Sequence, residues 1–201
     1  MLPDVLRHQP SPSTAGWRYV AGLAQTKPER FAGSAPAATT PRADGFDADA
    51  AWLLAAAHVC PALQPPKGPE QRRLDTALAE VCAVIDSSEL QARNITLRLA
   101  CGPIVLSGWR NWQICVIVAD LLLAAARDGR EVRSISVEFG LGEEARCVVV
   151  DDGVASPGSA RSPGAVEVDG LVEEMGGRVV RCADETGCAV MVRVPRAALQ
   201  P

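Results

Sequence analysis

The chain has 201 residues and a formal net charge of −4, from 20 basic against 24 acidic residues; 48% of it is hydrophobic and only 4% aromatic. That length holds one domain with an appendage or two small domains, and the apolar share excludes a globally disordered chain. A mildly acidic balance without a basic block argues against a nucleic-acid binder.

The longest apolar run, Ile114 to Ala126, is interrupted by Asp120 and falls short of the roughly 20 residues of a membrane span. No charged stretch followed by an apolar one opens the chain, so no secretory signal is expected. The seven cysteines, at 60, 82, 101, 115, 147, 182 and 188, are odd in number and never spaced C-x-x-C. Most are flanked by aliphatics, as in Val81-Cys82-Ala83 and Ile114-Cys115-Val116. They read as buried, reduced thiols acting as small hydrophobes in the cytoplasm, with no metal site among them.

Residues 1–45 are rich in Pro, Ala, Ser, Thr and Gly, lack apolar periodicity, and read as tail or linker. Within them, Trp17 to Gln25 is expected to form at most a short helix or strand, and His8 is a tail residue. From Asp47 the texture changes. Asp47 can N-cap a helix through Leu53, Leu54 and Ala57 towards Leu63, ended by Pro65-Pro66. A second helix is expected from Pro69, with Leu74, Leu78, Val81, Cys82 and Ile85 on one face, closed by Asp86-Ser87-Ser88. Residues 46–90 thus read as a helical hairpin, its stripe buried within the chain or across a dimer.

Ile95, Leu97 and Leu99 alternate with polar residues, predicting a half-buried strand. A turn at Cys101-Gly102-Pro103 precedes a short strand, Ile104 to Leu106. A long apolar helix follows from about Trp109 to Arg127, stopped by Asp128-Gly129, with Trp109, Trp112 and Val116 as packing residues. Ile135 to Phe139 and Cys147 to Val150 form a strand pair. A Gly/Ser/Pro loop spans Asp152 to Gly164, a helix covers Val166 to Met175, and Arg178 to Ala183 pairs with Cys188 to Val194 in a hairpin. The order from residue 94 onwards is β-β-α-β-β-loop-α-β-β, with neighbouring strands able to pair antiparallel. That predicts a two-layer α/β sandwich and not a doubly wound sheet.

Three local motifs sharpen this. The first is Asp120-Leu121-Leu122-Leu123-Ala124-Ala125-Ala126-Arg127-Asp128, the second Val150-Asp151-Asp152-Gly153-Val154-Ala155. The third runs from Ser162-Pro163-Gly164 to Leu171-Val172-Glu173-Glu174-Met175-Gly176-Gly177. Together with the element order they resemble the ATPase domain of the GHKL superfamily, which includes bacterial histidine kinases, over about 94 to 195, within a domain expected at 91–201. The resemblance implies a Bergerat-type ATPase fold with a mixed sheet. It also implies a preceding hairpin of the dimerisation and phosphotransfer type, similar to HWE-type kinases, where Leu54-Ala55-Ala56-Ala57-His58-Val59-Cys60 is the corresponding run.

In the family the first motif carries an acid and then an Asn that holds Mg²⁺; here the acid is Asp120 but the Asn position is Ala124, which has no oxygen to offer a cation. In the second, Asp151 would accept from the adenine amino group beside Gly153, although the last glycine is Ala155. In the third, backbone N–H groups meet phosphate, but only Gly164 remains, after a proline that donates nothing. A later glycine-threonine element is at best Glu185-Thr186-Gly187-Cys188.

The resemblance therefore implies a degenerate site in which ATP or ADP can still bind through Asp151, with Mg²⁺ weakly supported. His58 is the candidate phospho-acceptor, although it is followed by Val59 and Cys60 in place of the family's charged partner. Its bland alternative is a packing or capping residue; Asp151 and Asp152 could equally be a turn signal, whereas a carboxylate at 120 in an apolar helix needs a pocket or partner. The implied function is a cytoplasmic two-component signalling protein, a pseudokinase scaffold or histidine phosphotransferase. Its expected partners are a receiver domain or a sensor kinase, with homodimerisation through the hairpin. An active ATP-dependent histidine kinase and an anti-sigma-like binding module are the alternatives.

Overall fold

A computed structural model of the chain describes residues 53, 56–127, 131–153, 165–184 and 187–199. Residues 53 and 56–59 are helical, and the N–H of Cys60 donates to Ala56 O at 2.7 Å. The helix then leaves the α conformation before the Pro65-Pro66 stop expected for it. Pro61 forces the change: Cys60 before it is extended (φ −116°, ψ 101°), and a single 3-10 turn, Pro61–Leu63, follows.

The connection to the next helix is longer and more structured than a hairpin turn. Gln71–Arg73 forms a strand, β1, so the second helix does not start at Pro69 but at Leu74. β1 pairs antiparallel with β3, Val105–Ser107, far along the chain. The N–H of Leu74 donates to Ile104 O (2.8 Å) and that of Gly108 to Glu70 O (2.6 Å), which fastens both ends of this small ladder. Helix α1, Leu74–Ile85, buries Leu74, Leu78, Val81 and Ile85 completely within the chain. Asp86-Ser87-Ser88 does not close it: a π turn, Asp86–Leu90, and a 3-10 turn, Gln91–Arg93, prolong it. Asn94 then ends the run with φ 56°, a left-handed conformation that asparagine tolerates.

The main sheet has five strands in the order β2-β4-β5-β7-β6. They are β2 Thr96–Cys101, β4 Ser134–Leu141, β5 Glu144–Asp151, β6 Arg178–Asp184 and β7 Gly187–Pro195. β4–β5, β5–β7 and β6–β7 are antiparallel, but β2 pairs with β4 in parallel, Leu97 opposite Ile135 and Leu99 opposite Val137. The expected antiparallel pairing of the first two strands fails because helix α2, Gly108–Arg127, carries the chain over the sheet, and a crossover returns a strand parallel. β3 is left free for β1. Helix α3, Ala165–Glu174, and the one-turn α4, Arg196–Leu199, complete the fold, a two-layer α/β sandwich with a mixed sheet.

Period-two alternation sorts the sheet faces. Ile135, Val137, Phe139, Cys147, Val149 and Val192 are buried under the helices, while Arg98, Glu138 and Arg146 point the other way. α2 is buried on nearly all sides, sixteen of its twenty residues being inaccessible. Among the described residues it is the one helix long and apolar enough to cross a membrane, but 83% of it lies inside the fold, as befits a core helix. All seven cysteines are free thiols. Cys60, Cys82, Cys115 and Cys147 are buried, and burial pushes the thiols of Cys82 and Cys147 up to about 12. Cys182 is exposed because it sits on edge strand β6, facing away from the helices.

Because the α1 stripe is spent within one chain, Leu78→Ala is expected to lower stability by about 2–5 kcal/mol. Urea unfolding monitored by circular dichroism checks this.

Candidate functional site

Three polar side chains are buried in α2, and two have structural duties. Gln113 accepts from Arg110 Nη1 (2.8 Å), and Asn111 Nδ2 donates to Arg72 O in β1 (3.4 Å). The third is Asp120, 6% exposed. One turn further on is Ala124, half-buried and without any ligating atom. Asp120 is thus a buried carboxylate whose neighbour one turn on offers no ligating atom. Among the described residues no group of three or more His, Cys, Asp or Glu side chains could hold a metal ion.

Asp151 is the last residue of β5 and lies on its helix-covered face with Val149, 5% exposed. Its Oδ1 accepts the N–H of Gly153 at 3.0 Å, so the structure brings these two predicted residues together. Directly across the ladder from Asp151 is Cys188, held close by the glycine before it. Gly187 has φ 152°, and a Cβ there would overlap the carbonyl oxygen of Asp151. That close approach is what the glycine permits.

Asp152 turns outward and behaves differently. Its Oδ1 accepts from the N–H groups of Arg133 (2.8 Å) and Ser134 (3.0 Å), and its Oδ2 from Ser134 Oγ (3.0 Å). Desolvation is the largest single influence and raises its carboxyl pKa, but the hydrogen bonds to the charged form together outweigh it, so the net shift is downward. The motif Asp151-Asp152-Gly153, with its alternative as a turn signal, does not predict this bond set. The signal available was only its place one residue beyond a strand.

Gly164 lies outside the described residues, as does the segment 154–163 with Pro163. The far end of the third motif is well defined. Leu171, Val172 and Met175 are buried, and Gly176 (φ 65°) and Gly177 end α3, the N–H of Gly177 donating to Val172 O at 2.9 Å. Here the resemblance rests on helix capping and packing.

His58 is not part of the Asp151 corner. It is exposed on the helical turn 56–59, between the inward-facing Ala56 and Cys60. That turn leads into Leu63, whose carbonyl accepts from Trp112 Nε1 in the first third of α2 (2.9 Å), whereas Asp120 is about 12 Å further along the helix. An apolar cavity of about 10 Å³, lined by Ile114, Ile117, Phe139, Cys147, Val194 and Leu199, is a small packing gap at the Phe139 end of the sheet, away from Asp151.

No protein-family model matches the chain, and no curated protein matches it. Solved structures do. The histidine kinase domain of the Erythrobacter litoralis EL346 blue-light activated histidine kinase is similar, with a TM-score of 0.62 and 18% identity over 78% of this chain and 82% of that one. A second structure of that kinase gives 0.58 and 18% identity, covering 77% of this chain and 55% of the other. The catalytic domain of the histidine kinase ThkA gives 0.54 and 15%, covering 64% and 97%. The chain therefore has the α/β fold of histidine kinase catalytic domains. At such identities the likeness is one of fold, and the site must be judged from its own residues.

The Asp152 bonds have a pH signature. Its folded-state pKa is depressed, so the bonds contribute stability above the unfolded value, and that contribution disappears as pH falls through the folded one. In an NMR titration the Ser134 amide resonance is expected to shift with a midpoint below the ordinary aspartate value of about 3.9. A midpoint at or above that value would contradict the assignment.

Proposed function

We propose that this chain is a two-component signalling protein, a histidine-kinase-like module whose ATPase domain has lost productive Mg²⁺-ATP chemistry. It acts as a pseudokinase scaffold or histidine phosphotransferase towards receiver domains. The observation that carries the reading is the pairing of Asp120 with Ala124 on the buried helix α2. The framework of the nucleotide-binding fold is intact there, and the oxygen that would meet the cation is not. The residues present do not fit Mg²⁺, so no phosphoryl-transfer step is routed through it.

Asp151 does suit adenine. A carboxylate at a strand end, oriented by the Gly153 N–H, can accept from an exocyclic amino group, and its burial makes the bond selective. His58 suits phosphoryl exchange with an external partner. Ala56 at 5% and Cys60 at 1% exposure anchor the turn, and the imidazole between them faces solvent. We assign residues 46–90 to the dimerisation and phosphotransfer region. A homodimer formed there must use the exposed side around His58 and Val59, the latter 72% exposed, because the α1 stripe is already buried.

Calorimetric titration with ATP is expected to show weak binding that Mg²⁺ leaves unchanged. Tight, Mg²⁺-dependent binding with autophosphorylation would mean an active kinase. Phosphoryl uptake from a phosphorylated receiver, abolished in His58→Ala, is the expected sign of phosphotransfer; uptake that survives the substitution would remove His58 as the acceptor.

A further inference from the structure

Beyond Asp151, the residue next to it has a role that the nucleotide reading does not assign. The β4–β5 register ends with Ile135 opposite Asp151. One backbone bond continues past it, from the N–H of Asp152 to Ser134 O, and at 3.3 Å it is long. The Asp152 carboxylate adds three shorter bonds, one from Arg133 and two from Ser134, at 2.8, 3.0 and 3.0 Å. Arg133 is itself a junction, since its carbonyl accepts from the N–H of Thr96 at 2.8 Å and so starts β2. Three strands of the sheet, β2, β4 and β5, are thus tied together at residues 133–134, and one exposed side chain supplies most of the tie to β5.

We propose that Asp152 is a positioning residue for the Asp151–Gly153 corner: its carboxylate pins the exit of β5 to the start of β4 and so fixes the carboxylate of Asp151 for an adenine base. The inference rests on the nucleotide reading above. The mechanics are simple. Gly153 N–H reaches Asp151 Oδ1 only while residues 152 and 153 keep their path, and the Asp152 bonds hold that path. Asp152 is exposed, so truncating its side chain opens no buried cavity and leaves the ladder pairs of the sheet in place.

The side-chain chemistry gives a graded test. Asparagine at 152 keeps an oxygen that can accept both N–H groups, and its amide nitrogen can donate to Ser134 Oγ; alanine keeps none of these bonds. In the full chain, Asp152→Ala is expected to weaken ATP binding about tenfold in calorimetry, and to speed hydrogen exchange of the Gly153 amide by about tenfold or more. Those factors correspond to losing hydrogen bonds made to a charged group. Asp152→Asn is expected to stay within about threefold of the parent in both measurements.

An Asp152→Ala variant that binds ATP like the parent, or whose Gly153 amide exchanges at the parent rate, overturns the proposal. So does an Asn variant as damaged as the Ala variant. If the parent binds no ATP, the exchange measurement decides alone. Faster Gly153 exchange then sustains the positioning role while the nucleotide reading falls, and unchanged exchange sinks both. If Asp152→Ala fails to fold, Ser134→Ala, which removes a single bond of the set, must show a smaller increase in Gly153 exchange or the proposal fails.

Discussion

The fold turns on the near-complete burial of one helix. With sixteen of its twenty residues inaccessible, α2 cannot exist as a surface helix and must be enclosed on every side. The sheet supplies one wall through Ile135, Val137 and Val149, and α1 supplies another through Leu78, Val81 and Ile85. The remaining features follow from closing its ends. At the N-terminus the β1–β3 ladder and the Glu70–Gly108 bond hold the first turn. At the C-terminus Arg93 donates to Ala126 O (2.8 Å) and Glu89 pairs with Arg127 (2.8 Å), placing cationic groups where the helix carbonyls are exposed.

That enclosure explains why a carboxylate in α2 matters. An aspartate in the middle of a packed apolar helix carries a desolvation cost that a leucine would avoid, so Asp120 stands against the grain of its surroundings. Ala124, one turn on, goes with the grain: it packs and asks nothing of its neighbours. In the proposed reading, an alanine in place of a cation ligand therefore costs the fold nothing, whereas the acid keeps its desolvation cost. The same asymmetry appears at β5, where Asp151 is buried and oriented, and in α3, where the Leu171 to Gly177 run serves packing and capping.

Much of this architecture was legible from residue patterns, and the reasons for the exceptions are physical. Alternation in β2, β4 and β5 and the long apolar run of α2 announce themselves because burial on one face or on all faces repeats at every residue. β1 and β3 are three residues each, too short for periodicity, and their pairing joins positions far apart in sequence, so Gln71–Arg73 read as a helix start. The π turn at Asp86–Leu90 was read as a stop because serines and aspartates favour ends, yet the buried Leu90 pulls the chain through another turn. The Asp151–Gly153 corner was visible as a motif. The task of Asp152 was not, because it depends on which strand lies beside β5.

The strap between His58 and α2 adds a mechanical consequence. Pro61 breaks the helix, and beyond it the carbonyls of Leu63, Glu70 and Arg72 accept from Trp112, Gly108 and Asn111, so three points of the connection are fastened to the first two turns of α2. A segment held at such intervals has little freedom to swing relative to the body, since each attachment must break in concert with the next. The Trp112–Leu63 bond is buried, and breaking it leaves a carbonyl and an indole N–H without water to replace them, at about 1–3 kcal/mol. In the proposed reading, His58 is therefore a fixed surface feature, presented from one flank of α2, with the Asp151 corner at the end of the sheet. A kinase that phosphorylates its own histidine needs the two to meet. A strap of this kind favours the arrangement in which the phosphoryl group comes to His58 from outside, carried by a partner that docks on the exposed turn.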